Sequence, residues 1–271
     1  MRELERDPTN ADPHDADDSL LPRLALVGPG RAGRSIAAAA ELAGVPAELA
    51  GRDQALEACR RAQVALLCVP DAAIADACAT IAPAVPPLRF AGHLSGATTL
   101  DALAPARDRG AGTFSLHPLQ TIPDGGTDLT GAPCAVSGSS AAALRFAERL
   151  AGRLGMRPFP VPEERRAAYH AAGAIASNLL VALEESAADL LDRIGIEDAR
   201  ELLTPLVLRT AANWAERGPE ALTGPIARGD EATVERHLAA LRDTAPELLP
   251  LYEALADRAR ELARSDTEAP A

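Results

Sequence analysis

The chain has 271 residues, of which 47% are hydrophobic and only 3% aromatic, and its formal net charge is −12. This length accommodates one large domain or two ordinary ones, with a core built mainly from Ala, Leu and Val. The acidic balance argues against a nucleic-acid partner, because phosphate binding needs basic patches. No apolar stretch approaches the ~20 residues of a membrane span. All 27 basic residues are arginine, so any mechanism that needs a lysine is excluded.

The polar start and the cysteines indicate a cytoplasmic protein. Residues 1–20 are acidic and lack the basic start and apolar run of a signal peptide, so we expect a disordered tail. The cysteines show no CxxC spacing and are typical of buried thiols in a reducing compartment. They are Cys59, Cys68, Cys78 and Cys134. Without clustered donors near them, no metal site is predicted.

The first part of the chain alternates short apolar runs with alanine-rich stretches that favour helices. Strand signals occur at Leu24–Val27, Val45–Gly51, Val64–Val69, Leu88–Ala91, Gly112–Leu116, Pro133–Ser137 and Arg157–Val161. Helix signals occur at Arg31–Ala43, Gln54–Arg61, Ile74–Ile81 and Ala141–Leu154. Strands that alternate with helices at this spacing form βαβ units. We therefore predict an α/β Rossmann-type domain with a parallel sheet over residues 21–161.

The pattern changes at Pro162, after which no strand signal follows. The residues from Glu163 to Ile194 are mainly helix formers without a proline, and they predict one long helix. Further helices are predicted at Glu197–Glu216, Glu231–Asp243 and Ala245–Ala263. We therefore expect an all-α C-terminal domain over residues 162–264, followed by a polar tail over residues 265–271.

The clearest motif is the glycine loop, Gly28-Pro29-Gly30-Arg31-Ala32-Gly33, which lies between a predicted strand and a predicted helix. In a dinucleotide site the first glycine permits the tight turn, and the second lets the backbone approach the pyrophosphate. The third allows the helix to pack closely on the strand, and the helix N-terminus attracts the phosphates. We predict that residues 28–33 bind a dinucleotide, because an ordinary turn rarely needs three glycines at these positions.

The end of the second predicted strand bears on which cofactor is bound. An NAD site usually has an acidic residue there, whereas this strand is followed by Arg52, which can bind a 2′-phosphate with help from Arg31. We therefore predict NADPH in preference to NADH. Val69 and Pro70 end the third strand beside the glycine loop and are expected to contact the nicotinamide half. The next residue, Asp71, is equally explained as a helix cap and is assigned no role.

Polar side chains follow two later strands, where ligands bind in open α/β folds. His93 and Ser95 come after one strand, and His117 after the next. We predict Ser95 and His117 as catalytic residues and His93 as a substrate-binding residue. The alternative is that these histidines are ordinary hydrogen-bonded structural residues.

Two segments of the helical half also carry candidate site residues. On the predicted long helix, His170 and Asn178 are two turns apart on one face, and both are predicted to be catalytic. The alternative for Asn178 is a structural hydrogen bond to a neighbouring helix. In the later loop Gly218–Asp230, Thr223 and Arg228 are predicted to bind the substrate, Arg228 through the substrate's carboxylate. Alternatively, Arg228 pairs locally with Asp230, which caps the next helix.

These motifs together resemble a bacterial family of Rossmann-like proteins. The resemblance rests on the glycine loop and on the segments VPD, HLSG, SLHPLQ, YHAAGAIASN and LTGPIARGD. The family's C-terminal half is a helical domain of unassigned function, similar to that of 6-phosphogluconate dehydrogenase. More distant relatives are pyrroline-5-carboxylate reductase, prephenate dehydrogenase and ketopantoate reductase. The resemblance covers Leu21 to about Leu262, and it implies a homodimer formed through the helical domain.

One departure from the relatives affects the chemistry. Ketopantoate reductases place a lysine one helical turn before an asparagine, where this chain has Ala174 before Asn178. Proton transfer would then fall to His117 or His170, or the reaction differs. The pair Ser95 and His117 resembles the serine and histidine of prephenate dehydrogenases, which favours polarisation of a substrate oxygen.

The sequence therefore predicts an NADPH-dependent reductase of a small carbonyl-containing carboxylate, with ketopantoate suggested by the resemblance. One alternative is an NADP-dependent dehydrogenase of a hydroxy acid or a prephenate-like compound. Another is a regulatory protein that senses NADPH without turnover, which the missing lysine keeps open.

Overall fold

The computed structural model describes residues 21–267, and side chains up to residue 264. The disordered tail predicted for residues 1–20 lies outside the described residues. Two compact units are present: the first ends at Ala174 and the second begins at Ile175. The predicted domain border at residues 161–162 falls earlier, inside the first unit.

The first unit is built on a seven-stranded sheet with the order β2-β1-β3-β4-β5-β6-β7. The strands are β1 (Leu24–Val27), β2 (Ala47–Ala50), β3 (Val64–Leu67), β4 (Phe90–His93), β5 (Gly112–Pro118), β6 (Pro133–Gly138) and β7 (Arg157–Pro160). All neighbouring strands are parallel except β5 and β6. The predicted Rossmann-type α/β fold is thus confirmed, but the sheet is mixed rather than all parallel. The reason is that no helix is formed between β5 and β6, and a parallel neighbour needs a crossover connection.

Helices cover both faces of this sheet. They are α1 (Arg31–Leu42), α2 (Ala55–Arg60), α3 (Ile74–Ala84), α4 (Ala104–Arg107) and α5 (Ala141–Arg153). Alternate residues of β1 point to opposite faces: Leu24 and Leu26 pack with α1 and α5 in one core, and Ala25 and Val27 belong to the other core. This burial on both faces explains why the parallel strands are continuous apolar runs.

The C-terminal part of the chain is helical, as predicted. Its helices are α6 (Arg166–Ala176), α7 (Asn178–Arg193), α8 (Ala199–Arg217), α9 (Glu231–Thr244) and α10 (Leu249–Thr267). The single long helix predicted over Glu163–Ile194 is wrong, because Ser177 leaves the helical conformation with φ −131° and ψ −81°. His170 and Asn178 therefore lie on different helices. Helix α10 continues to Thr267, so the polar tail predicted from residue 265 begins inside a helix.

The start of α6 belongs to the first unit because Arg166 is anchored in the sheet. Its guanidinium donates hydrogen bonds to Ser115 of β5 and Ser137 of β6. No helix among residues 21–267 is both long and apolar enough to cross a membrane.

Candidate functional site

The glycine loop joins β1 to α1 in a conformation that glycine alone adopts easily. Gly28 has φ +117°, and a Cβ there would lie 2.5 Å from the carbonyl oxygen of Cys68 on the neighbouring strand segment. Gly33 is buried, and its Cβ would meet the carbonyl group of Gly28. At Gly30, by contrast, a Cβ would meet nothing within 4 Å. The first and third glycines thus fix the loop, and the second leaves open space before the N-terminus of α1.

Two arginines stand beside this open space at the ends of β1 and β2. Arg31 is the first residue of α1, and Arg52 begins a short 3-10 turn after β2. Both are exposed, and neither guanidinium makes a hydrogen bond or ion pair with another of the described residues. A third arginine is committed to the loop itself, since Arg34 Nε donates to the carbonyl oxygen of Pro29 at 2.8 Å.

The remaining predicted cofactor residues flank the loop. Val69 packs beside the glycine loop: its Cγ1 atom lies 3.1 Å from the position that a Cβ would take at Gly28. Pro70 is exposed beyond the end of β3, and Ala32 is half-buried in the first turn of α1. Because β1, β3, β4 and β5 run parallel, their carboxyl ends lie on the same side of the sheet. The glycine loop and the polar residues that follow β4 and β5 therefore share this carboxyl-terminal edge.

His117 is held at that edge by a tyrosine. Its Nδ1 atom lies 2.7 Å from the Tyr169 hydroxyl on α6, and the two rings meet edge to face at 5.6 Å. Both side chains are half-buried. The sequence predicted His117 but gave no role to Tyr169.

His170 lies next to the same ring. Its centroid is 6.0 Å from that of His117, and its side chain is exposed. Gly96 separates the two imidazoles: a Cβ there would lie 2.8 Å from His117 Nε2 and 2.8 Å from His170 Cδ2. The glycine of the HLSG segment therefore makes room for both rings, and the structure brings together two of the predicted catalytic residues.

Ser95 is buried in a turn and has other partners. Its hydroxyl donates to Asp71 Oδ2 at 2.7 Å and accepts from the backbone N–H groups of Ala97 and Thr98. The side chain that hydrogen-bonds His117 is Tyr169, so the support predicted from Ser95 is not a direct one. Asp71, which the sequence left without a role, links the end of β3 to the end of β4.

His93 is the last residue of β4 and has no exposed surface. Neither ring nitrogen has a hydrogen-bond partner among the described residues. A wholly buried ring offers no surface to a substrate, so we assign His93 to the interior of the site rather than to the substrate binding predicted for it.

Arg166 is a fully buried cation beneath these groups. Its guanidinium donates to Ser115 Oγ at 2.6 Å, to Ser137 Oγ at 3.1 Å and to the carbonyl oxygen of Ser95. Glu163 Oε1 lies 3.5 Å from the same guanidinium. The guanidinium therefore ties the start of α6 to β5, β6 and the turn after β4.

Burial and the Arg166 cation keep His93 and His117 neutral. Desolvation lowers the pKa of His93 to about 4, and the Arg166 charge acts in the same direction. Desolvation, then His170 and Arg166, lower the pKa of His117 to about 4. Burial raises the pKa of Tyr169 to about 12, so its hydroxyl is protonated at neutral pH.

Burial also makes the four cysteine thiols unreactive, because it keeps them protonated. Desolvation raises the pKa of Cys59 to about 11 and the pKa values of Cys68 and Cys134 to about 12. The pKa of Cys78 is also raised by burial. All these thiols are free and buried in the structure, as predicted for the cysteines, and thiols protonated at neutral pH are poor nucleophiles.

The other predicted residues belong to the second unit. Asn178 is the first residue of α7 and is exposed, and so are Thr223 and Arg228. The Asp230 side chain caps α9, accepting from the Thr233 N–H at 3.1 Å. The capping alternative is thus confirmed for Asp230, whereas the Arg228 side chain makes no hydrogen bond with another residue of the described chain.

Sequence reasoning missed two residues of this site, Arg166 and Tyr169, which precede His170 on α6. Arg166, Tyr169 and His170 follow the i, i+3, i+4 spacing that places side chains on one helix face. That spacing was the available signal, although it does not say what the face meets.

The fold and the loop define a two-part protein with a Rossmann-type first unit. A family model described as a Rossmann-like domain matches residues 50–118, and the domain of unknown function DUF2520 matches residues 132–259. The chain thus combines a Rossmann-like domain with a DUF2520 domain, which confirms the resemblance inferred from the motifs. No curated protein matches the sequence.

Solved structures similar to this chain include three that share its fold at low sequence identity. A Bacteroides fragilis protein assigned provisionally as an NADP oxidoreductase is 22% identical, with a TM-score of 0.71 over 89% of this chain and 98% of that one. A reductive aminase from Aspergillus terreus in complex with NADPH and ethyl-5-oxohexanoate is 19% identical, with a TM-score of 0.65 over 88% and 93%. Plasmodium falciparum pyrroline carboxylate reductase with NADP bound is 11% identical, with a TM-score of 0.59 over 89% and 98%.

Proposed function

We propose that this protein is an NADPH-dependent reductase of a small carbonyl-containing carboxylate, with ketopantoate as the first compound to test. The observation that carries the proposal is the common edge of the sheet, where the glycine loop and the His117–Tyr169 pair both lie. Similar proteins of known fold include NADP-bound reductases, which supports the choice of cofactor class.

The residues present fit a dinucleotide phosphate. The open position at Gly30 allows close approach of a pyrophosphate to the backbone at the N-terminus of α1. Arg31 and Arg52 would bind the 2′-phosphate, since both guanidinium groups are exposed and have no partner among residues 21–264. When bound, NADPH supplies a hydride to the substrate carbon.

The polar groups at the sheet edge would act on the substrate oxygen. His117 would donate a hydrogen bond and then a proton to the oxygen as negative charge develops on it. The exposed His170 beside it would contact the substrate. Asn178, Thr223 and Arg228, which belong to the second unit, stay predictions for substrate orientation and carboxylate binding.

Loss of Arg52 is expected to weaken NADPH binding selectively. Because a hydrogen bond to a charged group contributes about 1.5 to 3 kcal/mol, Arg52→Ala should reduce NADPH affinity about 10- to 150-fold and leave NADH affinity unchanged. Calorimetric titration of both nucleotides measures this directly. Arg217→Ala, which removes an exposed arginine at the end of α8, is the control for general charge loss.

Two results would contradict the cofactor assignment. Equal affinity for NADPH and NADH in the unmodified protein would remove the 2′-phosphate role of Arg52. Absence of binding by either nucleotide would remove the reductase proposal as a whole and favour a protein that uses the Rossmann fold without a dinucleotide.

We also propose that the protein is a homodimer formed through its second unit. Large apolar side chains on α7 and α8 are 58–66% exposed, an arrangement that a monomer rarely keeps over several helical turns. They are Leu179, Val181, Leu202, Leu206, Leu208 and Trp214.

Light scattering after size-exclusion chromatography is expected to give twice the 28.1 kDa chain mass. Leu206→Glu should shift the protein to the monomer, because it places a charge in a desolvated apolar contact. Leu42→Glu alters a leucine that is 88% exposed on α1 and should leave the dimer intact. A monomer for the unmodified protein would end this proposal.

A further inference from the structure

The contact between His117 and Tyr169 suggests how a chain without lysine delivers a proton. We infer that Tyr169 acts through His117, by giving its hydroxyl proton to Nδ1 as the Nε2 proton passes to the substrate oxygen. This inference rests on the proposed reductase function and makes Tyr169 a positioning residue and proton reserve for that site.

The direction of the hydrogen bond follows from the surroundings of the hydroxyl. Tyr169 OH lies 2.7 Å from His117 Nδ1 and has no other hydrogen-bond acceptor among the described residues. Burial keeps the phenol protonated, since its pKa is raised to about 12. We therefore take the phenol as the donor and Nδ1 as the acceptor, which places the single ring proton of neutral His117 on Nε2.

Nε2 is the ring nitrogen that Tyr169 does not contact, and it lies against the buried Gly96. It lies on the Gly96 side of the ring, where only a glycine leaves room beside His170. Tyr169 thus selects the tautomer whose N–H points toward Gly96 and His170, the side on which the proposal places the substrate oxygen. The edge-to-face contact of the two rings, and a similar contact of Tyr169 with Phe159 at 6.0 Å, hold the phenol in place.

A neutral imidazole cannot act as the acid without such a partner. The pKa of His117 is lowered to about 4, so the imidazolium is scarce at pH 7. Loss of the Nε2 proton alone would leave a high-energy imidazolate. Arrival of a proton at Nδ1 in the same step avoids that species, because the ring leaves the step as neutral as it entered.

The proposed transfer balances in protons and charge. The carbonyl carbon gains the hydride of the nicotinamide cofactor, and the carbonyl π electrons move to the oxygen. That oxygen takes the His117 Nε2 proton, and Nδ1 takes the Tyr169 proton. Between turnovers the phenolate takes its proton back from Nδ1 while water supplies a proton to Nε2 of the half-buried ring, so the starting tautomer returns and the net proton comes from solvent.

The charged and titratable groups around His117 favour this route over an imidazolium. Arg166 on α6 and His170 both disfavour a positive ring, and Asp71 opposes them. Cys134 on β6 and His93 on β4 lie close by, and burial holds both in their neutral forms. The fixed Arg166 charge also stabilises a transient phenolate at Tyr169, because it lowers the pKa of that hydroxyl against the effect of burial.

The chain contains a matched pair outside the site. His237 Nδ1 lies 2.8 Å from the Tyr252 hydroxyl in the second unit, and the rings meet edge to face at 6.0 Å. These are the only two tyrosines in the sequence. Tyr252→Phe therefore removes the same kind of contact and serves as the control for Tyr169→Phe, which keeps the ring and removes only the hydroxyl.

The tautomer is measured first, on the protein without substrate. Long-range proton–nitrogen NMR of the five histidines, assigned with His117→Ala, should show His117 neutral and protonated on Nε2 at pH 7. Tyr169→Phe should shift the His117 ring nitrogens toward a mixture of tautomers, and Tyr252→Phe should leave them unchanged. A His117 ring protonated on Nδ1, or charged at pH 7, would overturn the inference whatever the activity.

Turnover is measured next, with NADPH and with the carbonyl compounds ketopantoate and ethyl levulinate as probes. For the compound reduced, Tyr169→Phe should lower kcat about 100-fold, which is at the low end of general acid catalysis, with KM and NADPH affinity within about twofold. Its remaining activity should rise as the pH falls toward the His117 pKa of about 4, because imidazolium then replaces the relay. His117→Ala should lose both the neutral-pH activity and this rise.

The outcomes separate the relay from the reductase proposal. Turnover with unchanged kcat and pH profile in Tyr169→Phe would reject the relay alone. Failure to reduce any of these compounds, with NADPH bound and the expected tautomer present, would reject the reductase proposal and the relay that rests on it.

Discussion

Replacing Gly28 by alanine is expected to lower the free energy of unfolding by about 3 kcal/mol and to abolish measurable NADPH binding. Two causes add. The new side chain would force an L-residue to keep φ +117°, and its Cβ would lie 2.5 Å from the Cys68 oxygen and 2.8 Å from the Cys68 carbon. Both contacts are with backbone, which cannot rotate away, so the loop must move off β3. A displaced loop no longer presents the N-terminus of α1 to a phosphate.

Gly30→Ala is the matched variant that separates stability from binding. Gly30 has φ −71°, which any residue adopts, and a Cβ there meets nothing within 4 Å. Urea unfolding should therefore change by less than about 0.5 kcal/mol, as for an ordinary surface substitution. Calorimetric titration should still show weaker NADPH binding, because the methyl group occupies the space proposed for the pyrophosphate. Equal stability of the two variants would mean that the loop tolerates a side chain at Gly28.

The parts of the fold that follow from local pattern were predictable. The glycine loop lies between an apolar run and an alanine-rich helix, and the observed β1 has the predicted bounds, Leu24–Val27. Helix α1 ends at Leu42, one residue before the predicted end. In each of these cases, the residues that determine the local structure are neighbours in the sequence.

Features that depend on distant contacts were not predictable in the same way. The apolar residues of Pro133–Gly138 do not indicate whether the strand is parallel or antiparallel to its neighbour. It pairs antiparallel with β5 because the segment that connects the two strands forms no helix. The break at Ser177 falls in a segment of good helix formers, where Gly173 is the weaker residue by propensity. Tertiary packing overrides propensity at both places.

The candidate site shows the same division. His117 could be chosen because it stands at the end of a predicted strand, whereas His170 was chosen for a helix face shared with Asn178, which the break at Ser177 removes. Tyr169 could not, because its importance comes from a contact 52 positions away in sequence. Arg166 is one of 27 basic residues, and only the serines that meet it on β5 and β6 distinguish it from the others.

Burial of Arg166 and His93 under one sheet edge has a consequence for stability. Desolvation of the buried His93 ring disfavours its charged form, and the buried Arg166 cation acts in the same direction. The folded protein therefore holds His93 and His117 neutral, whereas both rings are free to take up protons in the unfolded chain. The same burial that keeps His117 neutral at pH 7 should make the stability of the folded protein decrease in acid.

The unfolding free energy is accordingly expected to fall as the pH drops from 7 to 5. The pKa of His93 is about 4 in the folded protein against 6.5 for a free histidine. The unfolded state thus binds more protons over this range, and stability decreases with falling pH. The loss should be about 2 kcal/mol for His93 and less for the half-buried His117. Urea unfolding at pH 7, 6 and 5 measures it.

His93→Leu tests the origin of this loss. The variant removes the titrating group and two unpartnered ring nitrogens, so its stability at pH 7 should equal or exceed that of the unmodified protein. Between pH 7 and 5 it should lose about 2 kcal/mol less. Carboxylates with lowered pKa values, such as Glu48 and Asp230, stabilise the fold above their ordinary values of 4.5 and 3.8 and lose that effect only at lower pH. An unchanged pH dependence in His93→Leu would therefore show that His93 accepts a proton without unfolding, which would contradict its confinement beside Arg166.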